Sequence, residues 1–211
     1  MASEIIRKLQ WRYATKKFDA TKKLSPEKLD ILKEAFNLTA TSYGLQPLKM
    51  VIVSEDKMKE ALVPMTMNQP QVKDCSHVLV LCIETTMTSE YIKKYFNKIE
   101  KLRKTPREIL APFESFLTTS FSEKTETEIT SWMVKQAYLA LGNLLTVCAM
   151  EEIDACPLEG FDPNKYDEYL GLKELGLKSV LLLAVGSRSE DDMFSGMKKI
   201  RRGVDRVVIE M

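Results

Sequence analysis

The stretch Arg12-Tyr13-Ala14-Thr15-Lys16-Lys17-Phe18 places three cations on a predicted loop, with Trp11 before it and Phe18 at its end. Such a loop can offer charge and backbone N–H groups to a phosphate while its aromatic side chains hold it against the core. The alternative is a solvated basic loop, because charge runs usually serve solubility. Three stretches further along the chain favour the phosphate interpretation: Asn68, Pro157 to Phe161, and Lys199-Ile200-Arg201.

Composition and charge limit the classes of protein that this chain can be. The 211 residues fit one domain with a sizeable core or two small domains, and we expect a single domain over residues 1–211. The apolar fraction is 45% and the charged fraction 29%, which is ordinary for a folded soluble protein. The net charge of +1 gives no overall attraction to nucleic acid or to an anionic membrane, so we expect neither partner. Nucleic-acid binding would need a local basic face, for which Lys198–Arg206 is the strong candidate.

The cysteine pattern indicates free thiols and no metal site. The cysteines at positions 75, 82, 148 and 156 form no C-x-x-C pair, and a single histidine, His77, leaves too few ligands for zinc. Each cysteine lies in or beside an apolar run, which predicts buried thiols in a reducing compartment. The segment Met1–Glu4 lacks the cationic start and apolar core of a signal peptide, so we expect a cytoplasmic protein.

Hydrophobic periodicity and capping residues predict several helices and few strands. Predicted helices with both ends defined are Ser3–Leu9, Ser25–Asn37, the segment from Ser54-Glu55-Asp56 through Leu62, and Glu126–Met150. Two further helices are predicted from their starts: one after Ser89-Glu90, and one at Thr105, where Glu108 would complete a capping box. Predicted strands cover Lys49–Val53, His77–Ile83, Ser179–Val185 and Val204–Ile209. This mixture does not alternate strictly, which predicts an α+β fold in preference to a doubly wound α/β fold.

The segment Glu126–Met150 is the longest predicted helix and is apolar nearly all round. Such a helix lies in a core, an interface or a membrane. Its polar residues argue against a membrane span, because these groups are costly in hydrocarbon. We therefore expect a dimer interface here, in which three small residues allow close approach: Ala137, Ala140 and Gly142.

Missing motifs narrow the available chemistry. The eight glycines form neither G-x-G-x-x-G nor a Walker loop, and no G-x-S-x-G elbow is present. His77 begins a predicted buried strand, which favours a structural role over a catalytic one. The chain lacks the parts for hydrolytic or metal chemistry. If it is an enzyme, a bound organic cofactor should carry the reaction.

Six stretches, taken in order, resemble the nitroreductase family, in particular its branch of oxygen-insensitive NAD(P)H nitroreductases and dihydropteridine reductases. Each motif is weak alone, but the ordered set covers essentially the whole chain at family-like spacing. The stretches are Arg12–Asp19, Ser42–Pro47, Asn68–His77, Trp132–Gln136 with Gly142-Asn143, Pro157–Asp162, and Lys199-Ile200-Arg201.

The resemblance implies a fold, an assembly and an activity. The fold would be α+β, with a central mixed sheet flanked by helices, in an intertwined homodimer that exchanges the C-terminal strand Val204–Ile209. The activity would be FMN-dependent: NAD(P)H would give hydride to the flavin N5 and leave, and a small-molecule acceptor such as a nitroaromatic or quinone would take its place. No side chain need act as acid or base in this ping-pong scheme. The alternative from another class is a flavin-binding carrier or sensor without efficient turnover.

The resemblance assigns the FMN phosphate to Arg12, on the same loop as Tyr13 and Ala14, together with Lys199 and Arg201. Guanidinium groups match phosphate oxygens in pairs, so arginine suits two of these positions. Two alternatives for the basic C-terminal residues are a nucleic-acid patch and an exposed tail.

Further residues are assigned to the flavin ring. Lys16 and Asn68 would face its polar edge, where a cation and an amide donor favour the reduced, anionic form. Gln71 stands where the family usually has lysine, so a donor is kept and a charge is lost. The backbone of Pro157, Glu159 and Gly160 would run along the ring, and glycine permits that close approach. The alternatives are a solvent-facing charge for Lys16, a turn residue for Asn68, and, for the segment from Pro157, a turn before a helix that starts at Asp162-Pro163.

The resemblance also assigns residues to the partner subunit and to the acceptor pocket. Four residues match the loop that reaches the flavin from the other subunit: Ala40, Thr41, Ser42 and Gly44. Gly44 replaces an amide side chain of the family pattern, so it could contribute only backbone. Tyr43, Phe116 and Phe121 are the substrate-pocket candidates.

Overall fold

A computed structural model describes residues 3–211, and Met1 and Ala2 of the N-terminal segment lie outside them. The helices are α1 Glu4–Trp11, α2 Pro26–Asn37, α3 Asp56–Leu62, α4 Gln71–Asp74, α5 Ser89–Arg103, α6 Arg107–Ser122, α7 Glu126–Met150, α8 Pro163–Tyr169 and α9 Val204–Val207. The strands are β1 Leu48–Val53, β2 His77–Glu84, β3 Asp154–Leu158 and β4 Leu177–Gly186. The predictions for α1, α2, α3, α5, α7, β1, β2 and β4 are therefore confirmed, and β3 is an element that periodicity missed.

The strands form one sheet in the order β1-β2-β4-β3. Every neighbouring pair of these strands is antiparallel, so the predicted mixed sheet is wrong for the strands themselves. In the described part of the chain, parallel pairing is limited to an isolated bridge between Ala14 and Ala155. That bridge brings the basic N-terminal loop to the outer edge of β3.

The sheet has a hydrophobic core on each face. Alternate residues of β2 divide between them: Leu79 and Leu81 pack in the core that contains α7, and Val78 and Val80 pack in the core that contains Phe161 and Tyr166. The central strands are buried on both faces, which explains their nearly continuous runs of valine and leucine. The four cysteines are buried free thiols, as predicted.

Helix α7 packs its apolar face against the sheet. By length and composition it is apolar enough to cross a membrane, but core helices of soluble proteins pass the same test. Ala137 and Ala140 are 0% exposed in the core of their own chain, so their predicted place in a dimer interface is wrong. The reason is that the sheet covers the face on which they lie. Gly142 is exposed, with open space at its Cα, and the exposed side chains near it are Tyr138 and Leu139.

Two further segments differ from their predicted conformation in the single chain. The capping box at Thr105 is absent because Pro106 has extended backbone, with ψ 142°, and α6 begins one residue later at Arg107. A capping box stands instead at Thr125, whose Oγ1 accepts from the N–H of Glu128 at 3.2 Å while Glu128 Oε2 accepts from the N–H of Thr125 at 2.8 Å. The predicted strand Val204–Ile209 begins as the exposed helical turn α9. A lone strand has no ladder partner, so a local helical turn satisfies its backbone better.

Candidate functional site

The basic loop after α1 is fixed to the edge of the sheet by backbone bonds and buried side chains. The N–H of Thr15 donates to Ala155 O at 3.2 Å, and the N–H of Asp19 donates to Ser187 O at 2.9 Å. Thr15 and Phe18 are buried, while Lys16 and Lys17 are exposed. The chain bends at Lys16, so the buried residues Thr15 and Phe18 hold the loop on both sides of the two lysines, which face solvent.

Asp192 organises this loop, and sequence reasoning missed it. Its side chain is 3% exposed; Oδ2 accepts from Tyr13 Oη at 2.8 Å and from the N–H groups of Lys16 and Lys17 at 2.9 and 3.0 Å. Oδ1 accepts from the N–H of Phe194 at 3.0 Å. Burial raises the pKa of Asp192, but the hydrogen bonds from Tyr13 and these backbone donors outweigh it and hold the pKa below its usual range. One carboxylate thereby joins the N-terminal loop to the segment that follows β4.

Arg188 strengthens the same junction and was also missed. Its guanidinium carbon lies 4.3 Å from the centroid of the Trp11 ring and 4.7 Å from that of the Tyr13 ring. The same group forms an ion pair with Asp154 at 2.6 Å. Stacking on aromatic faces and pairing with a carboxylate suit the planar guanidinium. No sequence motif distinguishes Arg188 from other surface arginines, because its three partners, Trp11, Tyr13 and Asp154, are all distant from it in the sequence.

Three cations from opposite ends of the chain meet beside this junction. Arg12, Lys199 and Arg201 line a cavity of about 420 Å³, together with Tyr13 and Ala14. The Lys199 ammonium donates to the backbone carbonyl of Arg12. Burial, followed by the charge of Arg201, lowers the pKa of Arg12. Burial, followed by the charges of Arg12 and Arg201, lowers the pKa of Lys199. The three charges are therefore close enough to repel one another.

This cationic cluster lacks an internal counterion. Within residues 3–211 no carboxylate forms an ion pair with Arg12, Lys199 or Arg201. Arg12 Nε is buried and has no hydrogen-bond partner there. An unpartnered buried donor costs free energy, roughly 1–3 kcal/mol. A bound phosphate dianion would satisfy this donor and neutralise the cluster, so these residues fit the phosphate of FMN.

The predicted flavin-ring residues continue from this cavity along β3. Ala14 bridges to Ala155 at the edge of the sheet. Burial raises the pKa of the Cys156 thiol, and the nearby charges of Lys16 and then Arg12 oppose that rise, so both cations lie close to β3. Pro157 is half-buried near the end of the strand, and Glu159 and Gly160 follow directly.

The loop around Asn68 meets the end of this path. Gln69 Nε2 donates to Gly160 O at 3.0 Å. Met67 and Asn68 both have left-handed backbone, with φ 52° and 55°, and Asn68 is exposed. Gln71 is buried, and its Oε1 has no partner within residues 3–211. The structure therefore brings Gly160 and Gln69 into the same region as Asn68 and Gln71, the two amide side chains predicted to face the flavin ring.

The loop predicted to serve the partner subunit lies elsewhere, against α7. The N–H of Ser42 donates to Gln136 Oε1 at 2.8 Å. Gly44 has φ 70°, and a Cβ there would collide with Tyr95 Oη, which explains the glycine. Thr41 accepts from the N–H of Gln46 through its Oγ1 at 3.2 Å, and Ala40 is exposed. No hydrogen bond or ion pair in the described chain joins this loop to Arg12 or Gly160.

The substrate-pocket candidates form an aromatic cluster next to that loop. Tyr43 is 45% exposed and stacks on Trp132 at 6.3 Å between ring centroids. Phe121 is 3% exposed, so in a single chain it supports Tyr43 from the core and does not line an open pocket. Phe116 is 57% exposed and stacks on Phe113, which also contacts Tyr43. Phe113 was missed because its exposure could not be read from the pattern of α6.

Comparison with known proteins decides the family. The family model described as "Nitroreductase family" matches residues 9–187. The chain belongs to the nitroreductase family. This nitroreductase is 32% identical over 215 residues to the "Major NAD(P)H-flavin oxidoreductase" of Aliivibrio fischeri, with 99% of each chain covered. It is 30% identical over 213 residues to the "Oxygen-insensitive NAD(P)H nitroreductase" of Salmonella typhimurium, with 95% and 96% covered.

Solved structures show that this nitroreductase has the family fold. A nitroreductase family protein from Streptococcus pneumoniae has a TM-score of 0.83 and 22% identity, with 99% of this chain and 100% of the other covered. An FMN complex of a protein described as a nitroreductase, from Exiguobacterium sibiricum, has a TM-score of 0.83 and 18% identity, with 100% and 99% covered. The α+β prediction is thereby confirmed.

Proposed function

We propose that this nitroreductase binds FMN and acts as an oxidoreductase that takes electrons from NAD(P)H and gives them to nitroaromatic, quinone or related acceptors. The observation that carries the proposal is the cluster of Arg12, Lys199 and Arg201, with a buried guanidinium donor that has no partner in the described chain. The relative from Aliivibrio fischeri, named as an NAD(P)H-flavin oxidoreductase, supports the same activity.

Different residues of the chain would bind the phosphate and the ring of the cofactor. Arg12, Lys199 and Arg201 would bind the phosphate, with Tyr13 and Ala14 forming the wall beside it. Lys16, Asn68 and Gln71 would offer donors to the polar edge of the ring, and Pro157, Glu159 and Gly160 would provide backbone along it. When bound, FMN supplies the hydride chemistry that these side chains lack. We propose that NAD(P)H and the acceptor occupy the same site in turn, in a ping-pong order.

We propose that the working molecule is a homodimer. In the described chain, one edge of β1 has no strand beside it, although β1 is six residues long and mostly apolar. An open apolar edge is a template for a further strand. The segment Val204–Ile209 has large exposed apolar side chains and fits this role when supplied by the partner subunit. The exposed face of α7 around Tyr138, Leu139 and Gly142 would complete the interface.

The dimer would also complete the site. Ala40, Thr41, Ser42 and Gly44 would reach the FMN of the other subunit, which accounts for their lack of contact with Arg12 in one chain. Tyr43 and Phe116 would then line the acceptor pocket, with Phe121 behind them. Planar apolar surfaces of this kind suit flat, electron-poor acceptors. We further propose that the chain is a single domain and acts in the cytoplasm, where its buried thiols would stay reduced.

The test begins with the spectrum of the purified protein and the identity of the flavin released by heat. We expect flavin absorbance and FMN, not FAD. Anaerobic mixing with NADPH and with NADH should then bleach the long-wavelength flavin band rapidly, and an acceptor should restore it. A protein without flavin, and without affinity for added FMN, refutes the proposal. A flavin that neither nucleotide bleaches indicates the carrier or sensor alternative.

A further inference from the structure

The turn at Gly160 leaves one backbone donor without a partner. Glu159 O accepts from the N–H of Phe161 at 3.0 Å, which closes a γ-turn centred on Gly160. In a trans peptide the N–H points away from the carbonyl, so the N–H of Gly160 is turned to the side opposite Phe161. Within residues 3–211 this N–H donates to no acceptor.

Gln69 holds this turn from one side. Its Nε2 donates to Gly160 O at 3.0 Å, so the peptide that follows the glycine cannot rotate without losing that bond. A Cβ built on Gly160 would lie 3.1 Å from Met67 Sδ and 3.3 Å from Gln69 Nε2, so these side chains pack directly on the glycine. The two residues before Gln69, Met67 and Asn68, both have left-handed backbone, with φ 52° and 55°. Consecutive left-handed non-glycine residues are strained and persist where the surroundings require them.

Tyr138, on α7, contacts the same turn at the residue before Gly160. Its Oη donates to Glu159 Oε1 at 2.7 Å. The turn is also joined to the Gln69 loop through the N–H of Asp162, which donates to Met65 O at 2.8 Å. Side-chain contacts from the Gln69 loop and from α7 therefore meet at the turn that carries this free backbone donor.

We propose that Gln69 and Tyr138 are positioning residues that keep the Gly160 N–H directed at the FMN ring and thereby tune its reduction potential. This inference rests on the proposed function. A fixed N–H donor favours the oxidised ring, whose reactive nitrogen has a free electron pair, over the reduced ring, whose same nitrogen carries hydrogen. Loosening the turn should weaken that preference, so the potential should become more positive.

The first experiment measures the FMN reduction potential in the full-length holoprotein by equilibration with a reference dye. Gln69→Met keeps the side-chain length and removes the donor. We expect it to shift the reduction equilibrium about tenfold toward the reduced form, the size of one net hydrogen bond, which is about 30 mV for a two-electron couple. Tyr138→Phe should shift the potential in the same direction by a smaller amount, because Tyr138 contacts the Glu159 side chain and not the peptide group of the turn.

The matched control is Tyr169→Phe, which removes a hydroxyl from another exposed tyrosine, on α8, and should leave the potential unchanged. Unfolding temperatures of the apoproteins separate a stability effect from a positioning effect. If wild-type protein holds FMN and Gln69→Met leaves its potential within the spread of the control, the inference is wrong while the proposed function stands. If wild-type protein does not bind FMN, both the proposed function and this inference are wrong.

A second measurement uses the apoprotein and needs no cofactor. The chain has eight glycines, so ¹⁵N-glycine labelling gives a small set of amide signals, and Gly160→Ala identifies the one from Gly160. Gln69→Met should move or broaden this signal, because the neighbouring carbonyl loses its donor. Tyr169→Phe should leave it in place. An unmoved Gly160 signal in Gln69→Met refutes the role of Gln69 in holding the turn.

Discussion

Replacing Arg12 with methionine should affect the apoprotein and the FMN complex in opposite directions. Methionine keeps the apolar part of the arginine side chain and removes the buried Nε donor, which has no partner. Burying such a donor costs about 1–3 kcal/mol. It also relieves repulsion with Arg201, whose charge lowers the pKa of Arg12 after the larger effect of burial. It relieves repulsion with Lys199 as well, whose pKa is lowered by burial and then by the charge of Arg12. The Lys199 bond to residue 12 survives because it uses the backbone carbonyl. We therefore expect the apoprotein to unfold at a higher temperature, by about 2–4 °C for each kcal/mol gained in a chain of this size.

The same substitution should weaken FMN strongly. A guanidinium that makes two charge-assisted bonds to phosphate contributes about 3 kcal/mol, which is roughly two decades in Kd. Riboflavin has the same ring and no phosphate, so its affinity should change little. Fluorescence titration of apoprotein with FMN and with riboflavin measures both constants.

Arg7→Met serves as the control for Arg12→Met. Arg7 is exposed on α1, and its side chain makes no hydrogen bond or ion pair in the part of the chain that the structure describes. This variant should bind FMN like the wild type. If Arg12→Met lowers the unfolding temperature and weakens both ligands equally, Arg12 supports the fold and the phosphate assignment is wrong.

Three further outcomes follow from the same geometry. Asp192→Asn keeps the size of the side chain but removes the charge that four hydrogen-bond donors share. It should lower the free energy of unfolding by about 3 kcal/mol, measured by chemical unfolding, and weaken the binding of FMN, measured by titration. Because the folded pKa of Asp192 is held below its usual value of about 4, its stabilisation should be complete above that pH and decline as the pH falls through the folded value, and the pH profile of unfolding of Asp192→Asn should lack this part. Gln71→Lys adds a cation near the ring edge, so it should raise the FMN potential by about 30 mV; an unchanged or lower potential would place residue 71 away from the ring.

Long periodic elements could be predicted from the sequence because local pattern decides them. The runs of β2 and β4 identify central strands, and the capping signal at Ser25-Pro26 identifies the start of α2, where Ser25 accepts from the N–H of Lys28. Strand β3 was missed because it is five residues long and contains Pro157. Its strand conformation depends on pairing with β4, which no local pattern records.

Only some of the residues at the candidate site could be predicted from the sequence. Arg12, Lys199 and Arg201 could be predicted to act together because a family resemblance linked their motifs, and the structure brings them to one cavity. Asp192 and Arg188 could not be predicted, since their roles depend on partners at both ends of the chain and neither stands in a motif. Ala137 and Ala140 were misplaced because small size is compatible with a tight interface and with a tight core, and only the packing of α7 on the sheet distinguishes them.

The meeting of Arg12 with Lys199, residues that are 187 positions apart, has a consequence for how the protein is made. During synthesis the arginine at position 12 emerges well before the ammonium of Lys199 and the guanidinium of Arg201, which complete the cavity. A growing chain therefore has no complete anion site with which to capture a nucleotide-like ligand. Loading has to wait until residue 201 has emerged and reached the loop that carries Arg12, and a change that displaces residue 201 acts directly on that step.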